Sequence, residues 1–358
     1  MRGKLTAILA AALCASVLAL GVTPSHAAAN KPMIMRFAAQ GAPKGVRAEA
    51  VKWWAAEIEK RSQHKVKIKF FWSGALLKPG DAMEGIGSRT ADLGGAWGIY
   101  HPAKTPLWTV ADPPFTHDDP YVGLKVMQEM FKSYQPLIQE LAKYNVKILA
   151  PFVTGMTQLG TTKKPVYVPA DTKGMKIRYA GGQWAKFWKS VDAVPITLTQ
   201  GEVYEALMRG TADATQSYFF ILEAYKHWDV IKYYTVINAG EICSYGLAIN
   251  LDLWKSLSPQ LQKIFQEVSD QFVDKYAQGL IDVRKKIIAQ GQKKGMKFIY
   301  PSKEQKAKWM AKAAPFLQAW VKVMDQKGLP GRQTQATFFA LAEKYSKQVE
   351  TKGYPWGK

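Results

Sequence analysis

Apolar positions recur along this chain with two alternating periods, and their order predicts an α/β fold. Met33 to Phe37 reads as a short strand. From Gly45 to Arg61, the residues Ala50, Trp54 and Ile58 return every four positions, as one face of a helix requires. Val66, Ile68 and Phe70 then alternate with lysines, the pattern of a strand with one wet face, and Ser73-Gly74 breaks it. Residues 79–90 read as helical, and Asp92-Leu93-Gly94 opens a second core segment. Strand, helix, strand, helix is the signature of an α/β sandwich.

The stretch from Pro102 to Pro120 is rich in proline and aspartate and reads as ordered loop. Tyr121 to Tyr144 reads as a single long amphipathic helix, and Val146 to Pro151 as a strand. A second run of alternating elements follows. It includes Lys176-Ile177-Arg178, Val194 to Leu198, a helix from Gly201 to Arg209, and strands near Thr235 and over Tyr245 to Asn250. Ser258-Pro259 starts a long helix, with serine as cap and proline in the first turn. Leu261, Ile264, Val268, Phe272, Tyr276 and Leu280 keep one face apolar, and the pattern runs to about Gln292. A helix of that length, in a chain with two α/β runs, is expected to cross both. Lys303 to Thr351 reads as more helix. No flexible linker separates the two runs, so the chain is expected to pass between two lobes more than once.

The first residues change the picture. Met1-Arg2-Gly3-Lys4 precedes an apolar run to Val22 and a small-residue stretch, Thr23 to Ala29. That order is a secretory signal, with cleavage after Ala27 or Ala29. Leu13 stands before Cys14, where a lipoprotein signal needs a small residue. No later segment has enough consecutive apolar residues to span a bilayer, so a soluble, periplasmic mature chain is expected. The formal net charge is +21, but the lysines are scattered and form no dense basic block, which argues against nucleic acid. A positive field still steers small anions towards the protein. Only Cys243 remains beyond the leader, so no internal disulfide can form, and its apolar setting suggests a buried structural thiol.

Catalytic signatures are scarce. There is no Gly-x-Ser-x-Gly elbow, phosphate-binding loop or dinucleotide fingerprint, since Gly85-Ile86-Gly87 lacks the third glycine. His64, His101, His117 and His227 show no metal-ligand spacing. Glu223 and His227 share a helical face and read as a surface contact. His117-Asp118-Asp119, between Pro114 and Pro120, reads as a polar turn.

One stretch is more informative. Val168-Pro169-Ala170-Asp171-Thr172-Lys173-Gly174-Met175-Lys176-Ile177-Arg178 resembles the segment P-x-D-L-K-G-x-K-x-R of TRAP-transporter substrate-binding proteins, the DctP-like family. Gln200 to Leu207 and Arg209 to Ala214 resemble that family's E-V-Y-x-A-L-x-x-G-x-x-D at the same spacing. Gly74-Ala75-Leu76, Asp81 to Gly94 and Leu253 to Pro259 resemble its flanking segments, so the likeness runs from about residue 33 to 295. The resemblance implies a two-lobed, type II-like periplasmic binding protein fold with a long helix spanning both lobes. The expected division is a signal peptide over 1–29, lobe I from 30–153 plus about 242–284, and lobe II from 154–241 plus about 285–358 with the C-terminal helices.

The resemblance further implies that Arg178 forms a bidentate salt bridge with a ligand carboxylate. A guanidinium fork matches two carboxylate oxygens, and Arg178 ends a predicted strand, where open α/β sheets bind ligands. The other expected ligand contacts are Gln158, Gln216, Ser217, Glu241, Trp97, Tyr100 and Tyr218. In keto-acid-binding members a glutamine at the position of Gln158 helps hold a metal; here Gln158, Gln216 and Glu241 are the candidates for a ligand-bridging cation, although the expectation is no cofactor. Where those members place Glu-Trp, this chain has Gln216-Ser217-Tyr218, which leaves the ligand open. A basic anchor with aromatic walls suits a carboxylate with an apolar or aromatic body. The expected partners are a small organic acid and the membrane subunits of a TRAP permease, with the chain a monomer or a homodimer. A periplasmic enzyme or a sensor subunit on the same scaffold stands as the alternative.

Overall fold

The computed structural model describes residues 31–357, position 182 excepted. The expected leader lies outside the described residues. The first α/β run forms β1 (Met33–Ala38), α1 (Val46–Arg61), β2 (Val66–Phe71), α2 (Ala82–Gly87) and β3 (Leu93–Trp97). β1 pairs in parallel with both β2 and β3, since each return passes through a helix that buries its apolar face, with Trp54 and Ile58 on α1 and Ile86 on α2. Gly94 marks a close approach, because a Cβ there would lie 2.8 Å from the Ala38 carbonyl oxygen.

The single helix expected over Tyr121–Tyr144 is instead two, α3 (Pro120–Ser133) and α4 (Gln135–Ala142), followed by β4 (Val146–Phe152). Tyr134 between them adopts φ −85°, ψ 96°. Pro136 has no amide proton and its ring crowds the preceding turn, so the helical ladder stops before it. Asp119 caps α3, its Oδ1 accepting from the amides of Tyr121 and Val122.

The chain then builds a second lobe from β5 (Gln158–Thr161), β6 (Lys176–Tyr179), α5 (Trp184–Ser190), β7 (Val194–Thr197), α6 (Val203–Met208), β8 (Ala214–Ser217), α7 (Phe219–Ala224) and β9 (Tyr233–Thr235). It returns for β10 (Tyr245–Asn250) and α8 (Leu251–Ser256), and ends in α9 (Pro259–Lys293), β11 (Lys297–Ile299), α10 (Lys303–Gln326) and α11 (Gly331–Lys352). One sheet has the order β2-β1-β3-β10-β4, the other β11-β9-β5-β8-β6-β7. These are the cores of lobes I and II. β10 runs antiparallel between β3 and β4, so lobe I is completed only after lobe II has been made.

α9 holds the lobes together. Ser258 caps it, accepting from the Leu261 amide, and Phe265, Val268, Phe272, Tyr276 and Leu280 form its buried stripe. It packs on α1, α3 and β4 of lobe I and on α7 and β11 of lobe II. The C-terminal helices depart from their expected place in lobe II. Trp309 of α10 donates to the Tyr167 carbonyl in lobe II, whereas Trp320 of the same helix donates to Thr109 in lobe I. α11 packs along α3, with Thr334 bonded to Tyr134 and Lys344 paired with Glu129. The helical stretch Lys303–Thr351 is interrupted after Gln326, where Gly328 takes φ +68° and Pro330 follows.

The expected loop from Pro102 to Pro120 contains a 3-10 turn, Leu107–Ala111, with every residue buried. Glu140 of α4 anchors it, its two carboxylate oxygens accepting from the Leu107 and Trp108 amides at 2.9 and 3.0 Å. Burial pushes this carboxyl up to about 7. A free glutamate ionises near 4.5, so the folded chain binds the extra proton between those values. Stability present below pH 4.5 is therefore lost as pH rises through 7, by an upper bound of about 3 kcal/mol. Burial pushes Asp112 up to about 6 with the same sign. We expect the melting temperature of the wild type to fall between pH 5 and 8, and that of Glu140→Gln to fall less. Equal slopes would mean that Glu140 ionises normally.

Candidate functional site

Arg178 is the third residue of β6, a strand held in parallel between β7 and β8. Its side chain reaches the cleft at the carboxyl end of the strand and is 1% exposed. Nε donates to the Leu198 carbonyl at 2.9 Å and Nη1 to Gln200 Oε1 at 3.3 Å. Among the described residues no carboxylate pairs with it. A guanidinium has five N–H donors, and two neutral acceptors orient the fork without balancing its charge.

Arg47, in the first turn of α1, faces the same space from lobe I. Its guanidinium lies 5.2 Å from the Trp97 ring centre, 5.4 Å from Phe152, 5.3 Å from Phe220 and 5.8 Å from Tyr245. Nη2 donates to the Val153 carbonyl at 3.2 Å and Nε to the Tyr276 hydroxyl at 3.4 Å. Ring faces attract a desolvated cation, which offsets an unfavourable position, since a helix N-terminus repels positive charge.

Between the arginines lies a cavity of ≈ 240 Å³. Lobe I lines it with Gln40, Arg47, Trp97 and Tyr100; lobe II adds Arg178 and Tyr218. Trp97 and Tyr245 meet edge to face at 4.4 Å, and Tyr218 stacks with Phe220. Trp97 Nε1 donates to Gln40 Oε1 at 2.7 Å. Gln40 Nε2, Gln200 Nε2 and the Tyr218 hydroxyl are buried and have no hydrogen-bond partner among the described residues. Burial holds the Tyr218 phenol protonated, well above its ordinary range, so it is a donor. The walls are thus aromatic, with a cation and several donors converging.

The lobes are closed on one another. A Cβ on Gly181 of lobe II would lie 2.5 Å from the Ile99 carbonyl oxygen of lobe I, and one on Gly45 would lie 3.2 Å from Ala224 Cβ.

Of the residues singled out from sequence, Arg178, Trp97, Tyr100 and Tyr218 line the cavity, and the other four lie off its wall. Gln158 accepts from the Asn238 amide and donates to Asn238 Oδ1 and the Met156 carbonyl, bracing the segments that cross between lobes. Gln216 and Ser217 are wholly buried in β8, where they pair with Leu159 and Gln158 of β5. Glu241 faces His117, with Oε2 2.9 Å from Nε2. Gln158, Gln216 and Glu241 are therefore not placed to hold a cation against a ligand in this cavity. The pair Glu223 and His227 also differs from expectation. α7 ends at Ala224, Glu223 pairs with Lys286, and His227 is fully buried, with burial and then the nearby Arg178 holding its ring down to about 3.

Sequence reasoning missed Arg47, Gln40 and Gln200 as lining residues. Arg47 carried a signal: a cation in the first turn of a helix, where acidic residues are favoured, is a local misfit that calls for an explanation elsewhere. Gln40 and Gln200 stand in loops with no such mark.

Two α/β lobes, joined by the β4–β5 and β9–β10 segments and again by α9, close over one cavity, the architecture of a hinged clamp. Residues 37–323 match the profile of the family described as bacterial extracellular solute-binding protein, family 7 (DctP), and the chain belongs to that family. It is 23% identical over 303 residues to the C4-dicarboxylate-binding protein DctB of Bacillus subtilis (strain 168), covering 81% of each chain. It is 25% identical to the 2,3-diketo-L-gulonate-binding periplasmic protein YiaO of Escherichia coli (strain K12), covering 67% of this chain and 71% of the relative. The fold matches a TRAP solute-binding protein from Rhodoferax ferrireducens T118, solved with copurified benzoate, at TM-score 0.82 and 20% identity, over 88% of this chain and 99% of the other. A marine-metagenome TRAP solute-binding protein described as specific for aromatic acid ligands, solved with 3-hydroxybenzoate, matches at TM-score 0.81 and 20% identity, again over 88% and 99%.

Closure leaves no room at Gly181, which gives a direct test. Gly181→Ala puts a methyl group against lobe I backbone, an overpacking cost of about 1–3 kcal/mol paid only in the closed form. We expect ligand affinity to fall about 10- to 100-fold with little change in ligand-free melting temperature. Unchanged affinity would mean that closure tolerates a Cβ there.

Proposed function

We propose that the chain captures a small organic acid in the periplasm and delivers it to the membrane subunits of a TRAP-type permease, binding the acid without transforming it. The observation that carries this reading is the buried, carboxylate-free guanidinium of Arg178 in an aromatic cavity. A ligand carboxylate supplies the missing charge, and in a closed, dry cleft a bidentate pair is strong and directional. Tyr218, Gln40 and Gln200 supply further donors. The rings around Arg47 favour an apolar or aromatic body, so a monocarboxylate of benzoate type is the leading ligand class. The ligands described for the two structural relatives support that choice. The remaining donors of Arg47 suit an additional hydroxyl or carboxylate on the same molecule.

Conversion of the ligand would need a second titratable group within reach. The carboxylate on the cavity lining, Glu202, is engaged by the Thr199 amide and hydroxyl at 2.7 and 2.6 Å, and those bonds hold it below its usual range. Membership of a solute-binding family supports binding as the activity of this lining. No cofactor enters this reading, and family membership supports export across the inner membrane.

The test is thermal denaturation of residues 30–358 against a panel of aromatic monocarboxylates, 2-keto acids, dicarboxylates, sugars and amines. A ligand specific to the folded state stabilises it by about 2.7 kcal/mol at a hundredfold excess over Kd. We expect a shift with one acid class, lost in Arg178→Ala. We also expect ligand-free Arg178→Met to melt no lower than wild type, because it removes a buried unpaired charge. Shifts with uncharged sugars alone, or a shift that survives Arg178→Ala, would sink the reading.

A further inference from the structure

Away from the cavity, three groups with metal-ligand chemistry meet in the interior. Cys243 Sγ, a Glu241 carboxylate oxygen and a ring nitrogen of His117 lie within 4.8 Å of one another. The His117 and Glu241 side chains are 2% and 0% exposed, and Cys243 is fully buried. Nε2 of His117 stands 2.9 Å from Glu241 Oε2 and 3.9 Å from Cys243 Sγ.

The hydrogen bonds around the ring fix what can lie between these atoms. Thr116 Oγ1 is 3.0 Å from the Ala111 carbonyl, to which its only proton goes. It must therefore accept from His117 Nδ1, also at 3.0 Å. Nδ1 carries the hydrogen, so Nε2 of the neutral ring presents a lone pair to the lone pairs of Glu241. Two acceptors at 2.9 Å repel unless a proton or a metal ion lies between them. Glu241 Oε1, also buried, has no hydrogen-bond partner among the described residues. Gly123, in the first turn of α3, keeps the space open: a Cβ there would lie 2.4 Å from His117 Nε2 and 2.5 Å from Glu241 Oε2. Glycine inside a helix costs about 1 kcal/mol relative to alanine.

We propose that His117, Glu241 and Cys243 form a buried binding site for one divalent transition-metal ion, with Zn²⁺ the best match to the donor set. Thiolate, imidazole and carboxylate are zinc ligands, and tetrahedral zinc would set N and S about 3.6 Å apart and N and O about 3.4 Å apart. The observed separations straddle these values, so shifts of about half an ångström suffice. Zn²⁺ with one thiolate, one carboxylate and one neutral imidazole sums to zero charge, which a buried site requires. Glu241 Oε1 or a water completes the coordination. Thr116 orients the ring as outer-shell partners of ligating histidines do. On binding, the Cys243 thiol proton and the proton shared by His117 and Glu241 leave to solvent.

The site lies on the hinge. Glu241 and Cys243 belong to the segment crossing from β9 to β10, and Ile242 between them bonds Thr154 on the other crossing segment through both its amide and its carbonyl. His117 comes from the lobe I loop ahead of α3, and Phe338 of α11 covers its ring. A metal here would tie the crossing segment to lobe I.

The test uses residues 30–358, stripped with chelator under mild denaturant and refolded with Zn²⁺ or Co²⁺. We expect one zinc per chain retained through gel filtration, a raised melting temperature, and a thiolate-to-metal charge-transfer band in the Co²⁺ form. Cys243→Ala should lose all three while its metal-free form melts near the metal-free wild type. Thr116→Val should weaken zinc binding about 10- to 100-fold. A wild type that retains no zinc, or a Co²⁺ form without the charge-transfer band, would overturn the proposal and leave a shared proton between His117 and Glu241. Zinc retained equally by Cys243→Ala and His117→Gln would assign it to surface histidines and overturn the proposal as well.

Discussion

A guanidinium taken out of water without a carboxylate beside it is a debt in the folded state, and Arg178 is such a group. Among the described residues, only the Leu198 carbonyl and Gln200 accept from its donors. The pleat and parallel pairing of β6 aim it at the cleft, and β7 and β8 on either side keep the strand from shifting register. Removing the charge would stabilise the empty protein. Its presence in a closed, ring-lined cavity makes sense through the anion that it receives.

Closure depends on how the chain is threaded. β10 returns from lobe II to stand at the centre of the lobe I sheet, so the two crossing segments are tied to both cores. α9 packs on both lobes, and α10 bonds lobe II through Trp309 and lobe I through Trp320. At the crossing segments Gln158 bonds Asn238, and Thr154 bonds Ile242 through both backbone and side chain. Glycine at 181 lets the lobes meet backbone to backbone at Ile99, and glycine at 45 lets backbone meet the Ala224 side chain.

Much of the fold was legible because its signals are local. The α1 period, the β2 alternation and the Ser258-Pro259 start of α9 each follow from neighbours within a few residues. The errors came where a local signal was outweighed. The apolar period over 121–144 was real, but Pro136 broke the backbone that carried it. The C-terminal helices looked like an appendage of lobe II because sequence order says nothing of which surface a helix meets. At the site, Arg178 and the aromatic residues at 97, 100 and 218 were found from a family-like motif and from their places after core segments. Gln158, Gln216, Ser217 and Glu241 were placed by the same motif neighbourhood, yet Gln158 and Glu241 bond Asn238 and His117 near the hinge, and Gln216 and Ser217 lie inside β8, off the cavity wall.

The amino-acid sequence by itself determined the alternation of elements, the long capped helix and a cationic strand end suited to a carboxylate. Those properties depend on periodicity, capping and side-chain chemistry, all of which act over short distances along the chain. Only the tertiary structure decided that Arg47 faces Arg178 across one cavity, that four aromatic rings surround it, and that His117, Glu241 and Cys243 converge on the hinge. Arg47 and Arg178 lie 131 positions apart in numbering, and Arg47 and the Tyr245 ring beside it 198. Their meeting is set by which lobe surfaces close on which, a long-range outcome of packing that no local pattern records.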